Sequence, residues 1–533
     1  MQKETFIKQY AAGLNPQQLA AVQAVHGPVL LLAVPGSGKT TVLVTRLGYM
    51  VLCCDVPPAQ ILTMTYTVAA THEMRGRFAA RFGADLAGQM TFRTINGLSA
   101  VILQYYSRVY GRRQPELLTN EGDITRMLTD IWQQVNREFP TESTLKELRT
   151  AITYIKNMAL ADEEIEGLET DLANLPELYR RYQAALKRAG QMDYDDQMVF
   201  ALQILRAAPP VLAYFQQRYK YFCVDESQDT SKIQHEIIRL LAGRSLNLFM
   251  VGDEDQSIYG FRAAYPQALM DFEQVYPGAQ VLLMEENYRS SEEIVAAANA
   301  FVARSRYRRP KTLRATQGAQ CPIEIRRITR REEQIDWLFK EARRGGGETA
   351  VLFRNNESAL PLVDLCERRG VPYRFKKADL TFFTHKIVLD AVDFLRFAYE
   401  PTNGERFLRL YYKFGLALSR QRALAACGAS ARTGRPILEE LIRDSETKTR
   451  MRESLGDIYA AFKRIPQLNA ADALDAVRHG CGYGAYLNQK GMDTGKLAIL
   501  EMLAEQEPNA LRLLDRLEEL RMLIAAKAYV NSD

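Results

Sequence analysis

Cysteine is scarce and unpatterned in this sequence: seven residues in 533, with Cys53 and Cys54 adjacent and no C-x-x-C pair. A disulfide framework, a zinc site and an iron–sulfur cluster all lack support, which fits a reducing compartment. No apolar run approaches the roughly 20 residues that span a bilayer. The opening residues MQKETFIKQYAAGLN contain no apolar stretch of the secretory kind. The expected location is cytoplasmic, with no membrane partner. Charge of one sign is missing too, since 69 basic and 64 acidic side chains leave a net +5. That balance permits a local basic groove for nucleic acid without arguing for one. The length exceeds what a single core supports, so three or four structural units are expected.

What is present is organised around residues 29–41, VLLLAVPGSGKTT. Val29 to Leu32 reads as a buried strand, which breaks into Pro35-Gly36-Ser37-Gly38 before Lys39, Thr40, Thr41 and a helical pattern over 42–50. This is the composition of a phosphate-binding loop. Gly36, Ser37 and Gly38 turn backbone N–H groups inward, the helix start favours negative charge, Lys39 reaches the β and γ phosphates, and the Thr40 hydroxyl ligates Mg²⁺. Upstream, Asn15-Pro16-Gln17-Gln18 opens a helix with Asn15 at the cap and Pro16 in the first turn. Gln18 is open between a role in that cap and a second one, offering its amide to the edge of adenine.

Beyond the loop helix, Ile61–Thr67 is a strand ending in hydroxyls and a ring, and Met90–Asn96 repeats the pattern. Thr65, Tyr66, Thr91 and Phe92 thus suggest a track for single-stranded nucleic acid, hydroxyls on the backbone and rings on bases. Residues 97–190 are amphipathic helical segments, an all-helical insert in an α/β pattern. Asp193-Tyr194-Asp195-Asp196 lacks the spacing of a metal ligand set and reads as a capping turn. The strand 219–224 ends in Asp225-Glu226: Asp225 is expected to hold Mg²⁺ and Glu226 to activate the attacking water. The strand 246–251 leads to GDEDQSIYGFR, where Gln256 can sense a γ-phosphate while Tyr259, Phe261 and Arg262 meet a nucleic-acid strand.

These blocks occur in a fixed order: LNPQQ at 14–18, AVPGSGKT at 33–40, TMTYTVAATHEMRGR at 63–77, TFRTINGL at 91–98, VDESQDTS at 224–231, GDEDQSIYGFR at 252–262 and ENYRSS at 286–291. The sequence resembles the UvrD/Rep/PcrA branch of superfamily 1 DNA helicases. The resemblance implies two RecA-like P-loop motor domains, each with a helical insertion, and ATP- and Mg²⁺-dependent movement along single-stranded or tailed duplex DNA, usually 3′ to 5′. It implies that Gln18 recognises adenine, that Tyr288 stacks on the base, and that Arg289 reaches the γ-phosphate from the second motor domain. Tyr66, Phe92, Phe261 and Arg262 would face the DNA. Val34, Arg93 and Phe261 stand where glycine, histidine and tryptophan are usual.

The expected division is a first motor domain at 1–96 and 193–279, its insertion at 97–192, a partial second motor domain at 280–382, and a second helical insertion at 383–533. Strands are expected over 281–284, 323–328 and 349–353. The basic run Arg304, Arg306, Arg308, Arg309 and Lys311 is open between a solvated surface and a phosphate-contacting face. Relatives carry a T-x-H-x-x-K-G-L-E-like block and a later arginine block that do not occur in the 533 residues. The expectation is a chain ending before the last motor motifs, with depressed hydrolysis. The alternative is an ATP- and DNA-binding module that needs a partner.

Overall fold

The computed structural model describes residues 1–533 except 141, 244–245, 261–262, 345–346, 376–379, 446 and 531–533, and of 142–143, 331–332 and 527–530 the backbone alone. The chain divides into two compact units, Met1–Glu324 and Ile325–Asp533.

The first unit is built on six strands, β1 (Val29–Ala33), β2 (Ile61–Thr65), β3 (Thr91–Thr94), β4 (Tyr221–Val224), β5 (Leu248–Gly252) and β6 (Gln280–Met284). They lie in the order β3-β2-β4-β5-β1-β6 with every pair parallel. β1, β2 and β5 are buried at every residue, as the near-continuous apolar runs of a doubly covered parallel sheet require. Alternation along each strand sorts these residues into two layers. Leu30, Leu32, Leu62, Met64 and Met250 face helices Ile95–Tyr110, Tyr194–Ala207 and Lys232–Ala242. Val29, Leu31, Ile61, Phe249 and Val251 face helices Pro16–Gln23, Lys39–Cys53 and Val68–Phe82. The register pairs Leu32 with Gly252 and Thr65 with Thr94, so the carboxyl ends share one edge. Ligands of open parallel sheets bind along that edge.

Three expectations are corrected. The strand at 281–284 does not open a second sheet: it is β6, beside β1, because Val281 and Leu283 serve one apolar layer while Leu282 and Met284 serve the other. Helix Ile95–Tyr110 belongs to the sheet rather than to the insertion, since Ile95, Leu98 and Ile102 cover the strands. The insertion has its own core, running from Leu118 to Leu186. Finally, 323–328 and 349–353 are not strands, and among the described residues the second unit contains none. Ile325 is 86% and Leu352 94% exposed. Strand propensity records fit to a pleated, half-buried surface, and without a neighbouring strand it does not act.

The turn at 193–196 caps a helix, as its spacing suggests. Asp193 accepts from the Asp196 N–H at 2.8 Å at the start of Tyr194–Ala207. The fully buried Lys156 ammonium lies 2.6 Å from Asp193 and 2.7 Å from Asp196, tying helix Glu142–Asn157 of the insertion to the sheet layer. The second unit is helical around Phe394, Phe397, Phe414, Phe462 and Tyr483, with a buried Lys413–Asp390 pair at 2.5 Å. Among the described residues no single helix is long and apolar enough to cross a membrane. None of the seven cysteines is in a disulfide.

Candidate nucleotide site and nucleic-acid interface

The phosphate loop follows β1 directly. Gly36 and Gly38 have φ of +69° and +83°, a left-handed backbone that other L residues rarely adopt. A Cβ on Gly36 would also lie 2.8 Å from the Cβ of Arg289, so the loop and the arginine turn are in direct apposition. Ser37 Oγ donates to the Val34 carbonyl at 2.6 Å and closes the turn. Val34 is fully buried against Val295 and Leu313, which makes its branched side chain an anchor for the later segment. Lys39, Thr40 and Thr41 form the first turn of the helix Lys39–Cys53.

Gln18 sits in the helix cap and also reaches the phosphate loop. Its Oε1 accepts from the Asn15 N–H at 3.0 Å and its N–H donates to Asn15 Oδ1 at 2.8 Å, a capping box worth about 1 kcal/mol. Its Nε2 donates to the Ser37 carbonyl at 2.9 Å. The amide therefore buttresses the phosphate loop from the helix Pro16–Gln23. Asn15 Nδ2 donates to Tyr288 Oη at 2.8 Å and to Glu286 Oε2 at 2.9 Å, which fixes the exposed Tyr288 ring beside that helix.

Asp225 and Glu226 leave β4 facing the loop. Lys39 Nζ lies 2.8 Å from Glu226 Oε2. Glu226 has a left-handed backbone, φ +49°, unusual for a residue with a side chain. Burial pushes its carboxyl up, but the Lys39 charge and the hydrogen bonds from Lys39 and Gln228 prevail and hold it below the usual range. Asp225 goes the other way: burial first, then the Glu226 charge, raise it to about 6, and Asp229 is raised to about 6 by the same two causes. Three carboxylates thus crowd one lysine. Among the described residues they do not form a closed set of metal ligands, and a Mg²⁺ ion here would be held by Asp225 and the Thr40 hydroxyl together with nucleotide phosphates.

Because the folded value of Asp225 lies above 3.8, its contribution favours folding at low pH and is lost as pH rises through about 6. At neutral pH the charge is left for a cation to offset. Apparent Mg²⁺ affinity of the nucleotide-bound protein, titrated by fluorescent ATP, is therefore expected to be flat above pH 6 and to weaken about tenfold per pH unit below it. A flat profile down to pH 5 would remove Asp225 from that role.

Gln256 lies in the turn after β5, its Nε2 donating to Asp253 Oδ2 at 2.6 Å. Three residues on, the Tyr259 ring stacks on Tyr66 with centroids 5.7 Å apart and planes at 24°. Tyr66 also lines a cavity of about 340 Å³ whose walls include Thr94, Asn96, Tyr194, Gln197 and Asp225.

Other expected strand contacts are not placed there. Thr91 starts β3, at the far end from this cavity, and Phe92 packs on Phe78 in the core. The Thr65 hydroxyl is spent on the Thr67 carbonyl and Thr71 Oγ1, although the residue does line the cavity. Phe261 and Arg262 lie outside the described residues. Thr94, Asn96 and the half-exposed Tyr194 line the cavity without having been singled out by the sequence pattern. Strand direction would have favoured Thr94 over Thr91, and an exposed ring in an acidic cap is the signal for Tyr194.

Sequence comparison agrees with this geometry. The model of the UvrD/REP helicase N-terminal domain matches residues 14–277, and that of the UvrD-like helicase C-terminal domain matches 282–447. The chain belongs to the UvrD/REP helicase family. Among its relatives is the ATP-dependent DNA helicase PcrA of Leuconostoc citreum, 32% identical over 431 residues, 78% of this chain and 57% of the relative. UvrD1 of Mycobacterium bovis is 32% identical over 421 residues, 75% and 54% of the two chains. The putative ATP-dependent DNA helicase YjcD of Bacillus subtilis is 28% identical over 498 residues, 91% and 65%. The chain thus spans 54–65% of the length of these UvrD/REP relatives.

Arg289 sits directly against the phosphate loop. It lies in the same compact unit as the phosphate loop, within the stretch matched by the UvrD-like helicase C-terminal domain. Long-range hydrogen bonding puts it there: β6 pairs with β1, and the turn that follows is pinned to the loop by Tyr288 N–H donating to the Gly36 carbonyl at 3.0 Å.

Proposed function

We propose that this chain binds Mg²⁺-ATP at the phosphate loop and couples its hydrolysis to movement along single-stranded DNA in the 3′ to 5′ direction, as an ATP-dependent DNA helicase or translocase. The observation that carries this reading is a shared wall. Asp225 lines the same cavity as Tyr66 and Tyr194, and the short stretch 256–259 joins Gln256, the γ-phosphate contact of this reading, to the stacked tyrosines. A change at the nucleotide has only a few residues to cross.

Lys39 supplies a trigger. Phosphates arriving in the loop compete with Glu226 for its ammonium, and a carboxylate that loses this partner becomes a better base. Gln228, which donates to Glu226 Oε2 at 2.8 Å, keeps the freed carboxylate in place. Mg²⁺ would neutralise phosphate charge from its place at Thr40 and Asp225. On the DNA side, Tyr66 and Tyr259 offer faces that stack on any base.

The test is ATP hydrolysis by the 533-residue chain with and without oligo-dT. Hydrolysis is expected to rise with the oligonucleotide, and Tyr259→Ala is expected to weaken oligo-dT binding by about 1–3 kcal/mol. Hydrolysis indifferent to DNA defeats the motor reading.

A further inference from the structure

The basic run from Arg304 to Lys311 divides in the structure. Arg304 and Arg306 are exposed, whereas Arg308 and Lys311 turn inward. Lys311 Nζ lies 3.0 Å from Asp253 Oδ1, 2.5 Å from Glu254 Oε1 and 3.0 Å from Asp255 Oδ2, and the exposures of the four side chains are 0%, 0%, 2% and 6%. Arg308 closes on Asp255 through Nε at 3.1 Å and Nη2 at 2.9 Å. Two cations and three carboxylates thus form one largely buried cluster.

The acids open the loop that carries Gln256. Asp253 gives one oxygen to Lys311 and the other to Gln256 Nε2. Its N–H donates to Gln228 Oε1 at 3.1 Å, and Gln228 in turn donates to Glu226. Past Lys311, Leu313 packs on Val34, and Arg314–Ala315 pairs in parallel with Glu286–Asn287, next to Arg289. One short segment therefore touches the sensor loop, the phosphate loop and the arginine turn in succession.

We propose that Lys311 is a positioning residue of the nucleotide site: by holding Asp253 it fixes the Gln256 amide, so that discrimination of a γ-phosphate depends on a lysine that contacts no nucleotide. This rests on the reading of Gln256 as the γ-phosphate contact. Removing the ammonium leaves buried acids uncompensated, and Asp253, freed from its clamp, no longer orients the amide.

The test uses the full chain and two probes, AMPPNP and ADP, each displacing a fluorescent nucleotide. Lys311→Met is expected to cut the preference for AMPPNP over ADP by about tenfold, the worth of a hydrogen bond to a charged group, and to leave ADP affinity within about threefold. In a Gln256→Ala background it should add nothing. Asp253→Ala, which leaves Lys311 two carboxylates and so protects the fold, should lose the same preference even where Lys311→Met does not fold. Additive effects of Lys311 and Gln256, an unchanged preference in Asp253→Ala, or a parent chain without preference would each overturn the inference. A parent chain that prefers AMPPNP yet hydrolyses no ATP counts against the proposed motor function and leaves this inference to the binding data.

Discussion

Glutamine in place of Glu226 is expected to slow ATP hydrolysis by about 10²–10⁴-fold, the usual worth of a positioned general base. The substitution keeps the side-chain shape and an acceptor for Gln228 but cannot take a proton from water. Geometry singles out this residue over Asp225 and Asp229. Its left-handed backbone costs on the order of 1–3 kcal/mol and is kept by two contacts, Asp225 Oδ1 accepting the Glu226 N–H and the Glu226 carbonyl accepting the Asp229 N–H, each at 3.0 Å. Its carboxyl is held below the usual range while both neighbours are pushed up to about 6, so it is the most fully ionised of the three at neutral pH.

The fold should tolerate the change. Glu226 is 41% exposed, and breaking its pair with Lys39 is worth at most about 1 kcal/mol once solvent screening is counted. Lys39, released from a competitor, should hold phosphates no less tightly. Single-turnover hydrolysis beside fluorescent ATP binding checks both halves. A variant that hydrolyses within a few fold of the parent would move the base elsewhere in the cluster.

Much of this site can be read from sequence because its pieces are local. The phosphate loop, Asp225-Glu226 and the Asn15 cap each depend on residues a few positions apart, where spacing dictates geometry. The rest depends on partners far along the chain. Whether 281–284 completes the first sheet or opens another is decided by β1, some 250 residues upstream, and both outcomes use the same apolar pattern. Thr91 and Thr94 look alike until the strand direction says which end meets the ligand. The strand-like runs at 323–328 and 349–353 have propensity without a neighbour. Lys311 was the least legible: a basic run reads as solvated surface or as a phosphate-contacting face, and only the fold brings Asp253, Glu254 and Asp255 around it.

Arg289→Ala is expected to cost about 10³–10⁵ in the rate of hydrolysis, the range for an arginine that stabilises a transferring phosphoryl group. The turn that carries it is held by its backbone. Asn287 Oδ1 accepts from the N–H groups of Arg289 at 2.9 Å and Ser290 at 2.8 Å, while Asn287 Nδ2 donates to the Pro35 carbonyl at 2.7 Å. The exposed guanidinium has no ion pair among the described residues. Truncation therefore removes chemistry and little structure, and stability should stay within about 0.5 kcal/mol. Arg289→Lys should recover only part of the rate, since an ammonium lacks the planar fork.

The position of Arg289 also determines which rate falls. Because the turn is fastened to the phosphate loop inside one compact unit, the arginine is in place whether or not DNA is bound, and basal and oligo-dT-stimulated hydrolysis should drop by the same factor. An arginine delivered only by a DNA-driven rearrangement would spare the basal rate. Measuring both rates for Arg289→Ala separates the two: equal losses place the arginine in the resting site, and a loss confined to the stimulated rate would show that the turn at 286–290 must move to act.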